Sequence, residues 1–124
     1  MNGWMGKIIT IDLSSNKQEI VPVSPQTLRG WIGGRGLGVK LYGDMCPEPL
    51  DPFSAANPLI FMTGPLTGTV MTSGRYQVIS RSPLTGTICD SSSGGTFGAV
   101  LKGAGLDGLV ITGRAGRPVY LYAH

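Results

Sequence analysis

An α+β domain is the fold class this sequence predicts, and three observations carry it. Short apolar or alternating runs recur along the chain, as β-strands require. Two or three segments between them have helical spacing. The connections are dense in turn residues, with 20 glycines and 9 prolines in 124 residues. That share, about a quarter of the chain, lies near the level that flags low complexity. Disorder is nonetheless disfavoured, because apolar residues make up 41% and charged residues only 14%. The length suits one domain with a modest core. Strands and helices do not alternate as βαβ units, which argues against a Rossmann domain.

The elements follow in chain order. Ile9–Leu13 alternates with period two, Ser14–Lys17 is turn chemistry, and Gln18–Val23 returns as the second strand of a hairpin. Ser24-Pro25 has the form of a helix start, with serine as N-cap and proline at the first helical position. Leu28, Trp31 and Ile32 give that helix an apolar face, and Gly33-Gly34 is expected to end it. A second short helix is expected over Leu37–Met45, with Leu37, Leu41 and Met45 on one side. Pro47, Pro49 and Pro52 then impose an irregular connection.

Pro58–Thr63 is a continuous apolar run, as in a buried strand, and Tyr76–Ser80 and Thr87–Asp90 read as two more. Gly95–Gly103 has the spacing of a helix. Leu109–Thr112 and Val119–Tyr122 are expected to be two final strands around a GRAGRP turn. The phrase PLTGT occurs twice, at Pro65–Thr69 and Pro83–Thr87. In each copy proline fixes φ at the start of the turn and glycine supplies a positive φ. Two such turns on one sheet would set Thr67, Thr69, Thr85 and Thr87 along one edge, a row of short hydroxyls suited to a polar ligand.

Charge and ligand-forming residues narrow the function. The net charge is +3, and the ten basic residues are scattered. A nucleic-acid footprint needs a dense basic stripe, so no nucleic acid is expected, whereas a small anion needs only one or two arginines and a nest of N–H groups. Cys46 and Cys89 are far apart without a CxxC, and the single histidine is His124. Hence no metal ligands are assigned to this chain. Nor is any apolar run near the ~20 residues of a membrane span. Together with the polar start of the chain this leads to the expectation of a cytoplasmic protein with reduced thiols and no membrane partner.

Two segments draw attention as an anion site. Ser91-Ser92-Ser93-Gly94-Gly95 precedes the expected helix at Gly95, where N–H groups and hydroxyls would meet the positive end of the helix dipole. Arg75, after Gly74, would add a two-pronged grip on phosphate. The structural alternatives stay open: Ser93 as a plain N-cap, Arg75 as a solvated strand residue. GGRGLG at Gly33–Gly38 does not match G-x-G-x-x-G, and a joint between helices is the preferred reading there.

Taken in order, GWMGKIITIDLSS, GWIGGRGLGVKL, LIFMTGPLTGT, SGRYQVISRSPLTGTI and SSGGTFGAVLKGAGLDGLVITGRAGRPVYLY resemble the N-terminal domain of aldehyde:ferredoxin oxidoreductases over essentially the whole chain. These are enzymes with a tungsten bis-pterin cofactor and an iron–sulfur cluster. The resemblance implies paired, mainly antiparallel β-sheets with two or three short helices, forming a base under the pterins. It places pterin contacts at Arg75, Ser92, Ser93 and Gly94, with Gly95 following. Ser92 stands where the family has asparagine, and Gln77 where it often has asparagine.

The resemblance further implies a parent enzyme that holds tungsten (or molybdenum) with two pterins and a four-iron cluster, acts on a small aldehyde, and gives electrons to ferredoxin. Residues 1–124 would be its first domain, with no catalytic residue of their own. The cluster cysteines and acid–base groups would lie in later domains, which are the expected partners, and a homo-oligomer is expected. The alternative is a stand-alone, non-catalytic module that binds phosphate or pterin and self-associates.

Overall fold

The structure is a computed structural model and describes residues 3–70 and 73–122. Six strands and three helices follow in the order β1 (Lys7–Asp12), β2 (Lys17–Pro22), α1 (Pro25–Trp31), α2 (Gly34–Met45), β3 (Leu59–Met62), β4 (Tyr76–Arg81), β5 (Ile88–Ser93), α3 (Phe97–Gly103) and β6 (Gly108–Thr112). The α+β class with three short helices is the one expected. Where the resemblance implied sheets in pairs, all the described strands join one sheet, in the order β2-β1-β6-β3-β4-β5. It is mainly antiparallel: only the β1–β6 pairing is parallel, with Ile8 opposite Gly108.

Each sheet face carries its own core. On one, α1 and α2 cover Ile8, Ile60, Met62, Ile79 and Val110, joined by Leu28, Leu37 and Tyr42. All eight are nearly sealed from solvent, and burial of such side chains stabilises by about 1.5–3 kcal/mol each. On the other, α3 brings Leu101 onto Ile11 and Leu109. Strand alternation divides the residues between the faces. Gly38 shows how closely α2 lies on the sheet: a Cβ there would stand 2.3 Å from Ile79 Cδ1. A helix-interior glycine costs about 1 kcal/mol against alanine, and here the close approach explains it.

The start of α1 is as predicted, with Pro25 at the first helical position and the Ser24 hydroxyl accepting the Thr27 N–H at 3.1 Å. Its apolar face is narrower than expected. Leu28 is buried, but Trp31 and Ile32 are about half exposed. The helix ends at Trp31, and Ile32 leaves it at φ +64°, while the Trp4 indole N–H donates to the Ile32 carbonyl at 2.6 Å. Gly33-Gly34 therefore begins the next helix rather than ending the first. Gly33 is the N-cap of α2, and the Gly34 N–H donates to Thr63 O at 2.9 Å. Met45, expected on the buried side of α2, is exposed.

Val119–Tyr122 is not a strand. Its natural partner, β6, already lies between β1 and β3, so no vacant edge remains beside it. The segment instead runs over the α3 face of the sheet, lining a cavity of about 720 Å³ floored by Ile9, Ile11 and Leu109. The two PLTGT segments do form turns, with Gly68 at φ +78° and Gly86 at φ +70°. However, the first precedes β4 and the second follows it, so they lie at opposite ends of that strand and their threonines share no edge.

Candidate functional site

Pairing of β4 with β5 brings the two predicted segments together. Tyr76 faces Ser93 and Gln77 faces Ser92 across the ladder. Beyond the ladder's open end, Gly74 and Gly95 touch so closely that a Cβ on Gly74 would lie 2.6 Å from the Gly95 carbonyl oxygen. Gly98, in the first turn of α3, abuts Gly74 in the same way, at 3.0 Å from its carbonyl oxygen. Arg75 and the Ser93–Gly95 corner are thus held side by side by backbone contacts that only glycine permits.

Arg75 is exposed, and among the described residues its guanidinium makes no hydrogen bond or ion pair. Beside it opens a cleft of about 260 Å³ lined by Gly64, Pro65, Leu66, Thr67, Ser73 and Arg75. The Thr67 hydroxyl braces this wall, accepting the Gly64 N–H at 2.9 Å and donating to the Arg75 carbonyl at 3.4 Å. Gly94 and Gly95 are exposed, and a Cβ on either would meet no atom within 4 Å. Gly95 needs glycine for another reason, its φ of +89°.

The mechanism assumed for the serine run is corrected. Ser91, Ser92 and Ser93 belong to β5 and do not open a helix. The helix begins at Phe97, and its N-cap is Thr96 rather than Ser93. The dipole of a seven-residue helix three residues away is no part of the site. Being neighbours in a strand, Ser92 and Ser93 point to opposite faces. Ser92 lies on the α2 face and accepts a short hydrogen bond from Gln77 Nε2. Ser93 lies opposite Tyr76, whose ring packs on Phe97 at 4.9 Å between centroids.

Other polar groups, in the site and beyond it, were announced by no motif. Arg35, at the start of α2, donates through Nε to Asp90 at 2.6 Å, on the same face of β5 as Ser92. The Gln77 Oε1 is buried with no hydrogen-bond partner among the described residues. Lys102 and Asp107 form an ion pair of 2.6 Å, almost fully buried. A lysine and an aspartate five apart match neither a helical nor a strand spacing, so only the folded backbone reveals them. Among the described residues, no three His, Cys, Asp or Glu side chains group so as to hold a metal ion, and no helix is long and apolar enough to cross a membrane.

The site thus sits at one edge of a mixed sheet with helices on both faces, where the backbones of Gly74 and Gly95 meet next to an exposed Arg75. The family described as "Aldehyde ferredoxin oxidoreductase, N-terminal domain" matches residues 8–124. The tungsten-containing aldehyde ferredoxin oxidoreductase of Pyrococcus abyssi is 48% identical over 126 aligned residues, covering 100% of this chain and 21% of that protein. The enzyme of the same name from Pyrococcus furiosus is 43% identical over 98% of the chain and 20% of its own length. A WOR-like subunit of an aliphatic sulfonate oxidoreductase from the same organism is 37% identical over the whole chain. Among solved structures, a chain of the active-site complex BamBC of benzoyl coenzyme A reductase, in complex with 1,5-dienoyl-CoA, superimposes with a TM-score of 0.94 at 33% identity, over 98% of this chain and 19% of that one. This chain belongs to the family of aldehyde ferredoxin oxidoreductase N-terminal domains. It spans about a fifth of the length of the relatives it matches.

Proposed function

We propose that residues 1–124 are the cofactor-binding first domain of a larger cytoplasmic oxidoreductase, one that converts small aldehydes to carboxylic acids and passes the two electrons to ferredoxin. The chain alone is incomplete for catalysis. The cofactor is a tungsten (or molybdenum) bis-pterin, with a four-iron cluster held by later domains. When bound, the metal–pterin group supplies the redox chemistry, and this domain supplies grip and orientation.

One observation supports this reading above the others: among the described residues the exposed Arg75 guanidinium has no hydrogen-bond or ion-pair partner, and its cleft lies next to Gly74, which packs on the Gly95 backbone. A guanidinium grips a phosphate through two parallel N–H donors. Gly94 and Gly95, whose Cβ positions face open space, leave room for a ligand to approach the backbone. Ser93 adds a hydroxyl on one face of β5. Ser92, on the other, is held by Gln77 and would orient through that contact. The donor set suits a phosphorylated pterin.

The test is the metal and pterin content of the full-length protein carrying Arg75→Ala. An exposed arginine without a partner among the described residues contributes little to stability, within about 0.5 kcal/mol. The variant is therefore expected to fold normally and to lose most of its tungsten and pterin. Full cofactor content in that variant would overturn the assignment. Gly94→Val sharpens it, since a Cβ there meets no atom of the described residues within 4 Å. It is expected to leave the melting temperature of the cofactor-free protein unchanged and to lower cofactor content.

A further inference from the structure

The buried pair Lys102–Asp107 lies outside the site, yet it is wired to it. Its side chains are only 6% and 2% exposed. The carboxylate accepts the Met5 N–H at 3.0 Å and the Gly6 N–H at 2.7 Å, while the ammonium also donates to the Gly3 carbonyl at 2.6 Å. The pair therefore fastens the N-terminal segment. Gly3 in turn abuts Pro65, where a Cβ would stand 2.8 Å from the carbonyl oxygen. The backbone of Asp107 carries a second connection: its carbonyl accepts both the N–H and the hydroxyl of Thr63, at 2.9 and 2.8 Å. From Thr63 the chain passes directly into Gly64 and Pro65, and Thr67 links Gly64 to the Arg75 carbonyl.

A buried ion pair is a poor device for stability alone, because desolvation offsets the Coulomb gain and apolar side chains of similar size often serve as well. Its advantage is direction: a carboxylate that must satisfy several donors fixes each of them in space. We propose that Lys102 and Asp107 are positioning residues for the Arg75 cleft, holding its Gly64–Thr67 wall in register from beneath. This rests on the reading of Arg75 as a cofactor contact.

The experiment uses full-length protein carrying Lys102→Met, which leaves the carboxylate without its cation. Two variants accompany it: Leu28→Ala, which weakens the opposite core, and Arg75→Ala. Tungsten and released pterin are measured per folded polypeptide, and the temperature of tungsten release is compared with that of unfolding. The expected result is a roughly fivefold lower cofactor content in Lys102→Met, with tungsten released well before unfolding, while Leu28→Ala releases it only on unfolding. If Lys102→Met behaves as Leu28→Ala does, the pair is a fold staple and the inference fails. If Arg75→Ala keeps its cofactor, the reading of the cleft itself fails instead. Should Lys102→Met not fold, Asp107→Asn, which keeps the shape and the acceptor oxygen, is judged by the same two temperatures.

Discussion

The two PLTGT segments are identical in sequence and share a positive-φ glycine, yet they have opposite fates. The first is built into the molecule. Thr67 is buried, its hydroxyl bridges two backbone groups, and a Cβ on Gly68 would lie 3.3 Å from Ala99. The second is the tip of the β4–β5 hairpin. Leu84 is 93% exposed, and the Thr85 and Thr87 hydroxyls bond each other at 2.9 Å. Five residues dictate the turn, since proline and glycine act through local sterics. What the turn does is decided by what folds against it, and only the first copy meets β4's open end and α3.

Matched substitutions break or sharpen this contrast. The largest difference is expected from alanine at the two glycines. Both have positive φ, where a Cβ costs about 1–2 kcal/mol. At Gly68 crowding against Ala99 adds to that, for a total of about 3 kcal/mol. Gly86 has open space and is expected to lose about 1 kcal/mol. Chemical denaturation of the pair checks this, and equal losses would dissolve the contrast. Valine at the two threonines comes next. Thr67→Val strips a buried bridge from the Gly64 N–H and the Arg75 carbonyl, at a cost of about 2 kcal/mol, while Thr85→Val changes stability by less than about 0.5 kcal/mol.

A third turn, between β1 and β2, gives the smallest effect. The Ser15 hydroxyl and then the Ser14 N–H, both donating to the Asp12 carboxylate, hold its pKa below the ordinary value of 3.8. The folded-state value being depressed, the stabilisation is present above the unfolded pKa and is lost as pH falls through the folded one. Melting temperatures between pH 5 and pH 2, read in ~0.5 steps, are expected to fall slightly less steeply in Asp12→Asn than in the parent. An identical slope would show that this turn gains nothing from the charge.

Strands with period two or with continuous apolar runs were legible, because pleating and burial write themselves directly into Ile9–Leu13 and Pro58–Thr63. So was the cap at Ser24-Pro25, whose chemistry is local. Gly33-Gly34 was read backwards, since a glycine pair suits a helix end and a helix start alike. The contact to Thr63 that decides between them comes from a strand distant in sequence. Val119–Tyr122 alternates well enough for a strand, but a strand needs a free edge, and topology had used it. Arg75 and the glycine corner were legible as residue types, and the β4–β5 pairing sets their backbones side by side. The sorting of Ser92 and Ser93 to opposite faces follows from β5 reaching Ser93, which a run of small polar residues does not signal.

The position of β6 carries a consequence for how the chain comes to be folded. The last of the described strands lies at the centre of the sheet, against the first strand on one side and β3 on the other. Until it is in place, the β1–β2 hairpin and the β3–β4–β5 meander are two separate pieces, each with an open apolar edge. Contacts so distant in sequence make for slow folding and prolonged exposure to aggregation. On the ribosome, the sheet cannot close until Thr112 has left the exit tunnel, so a chain stalled before that strand would present two edges for any neighbouring nascent chain to pair with.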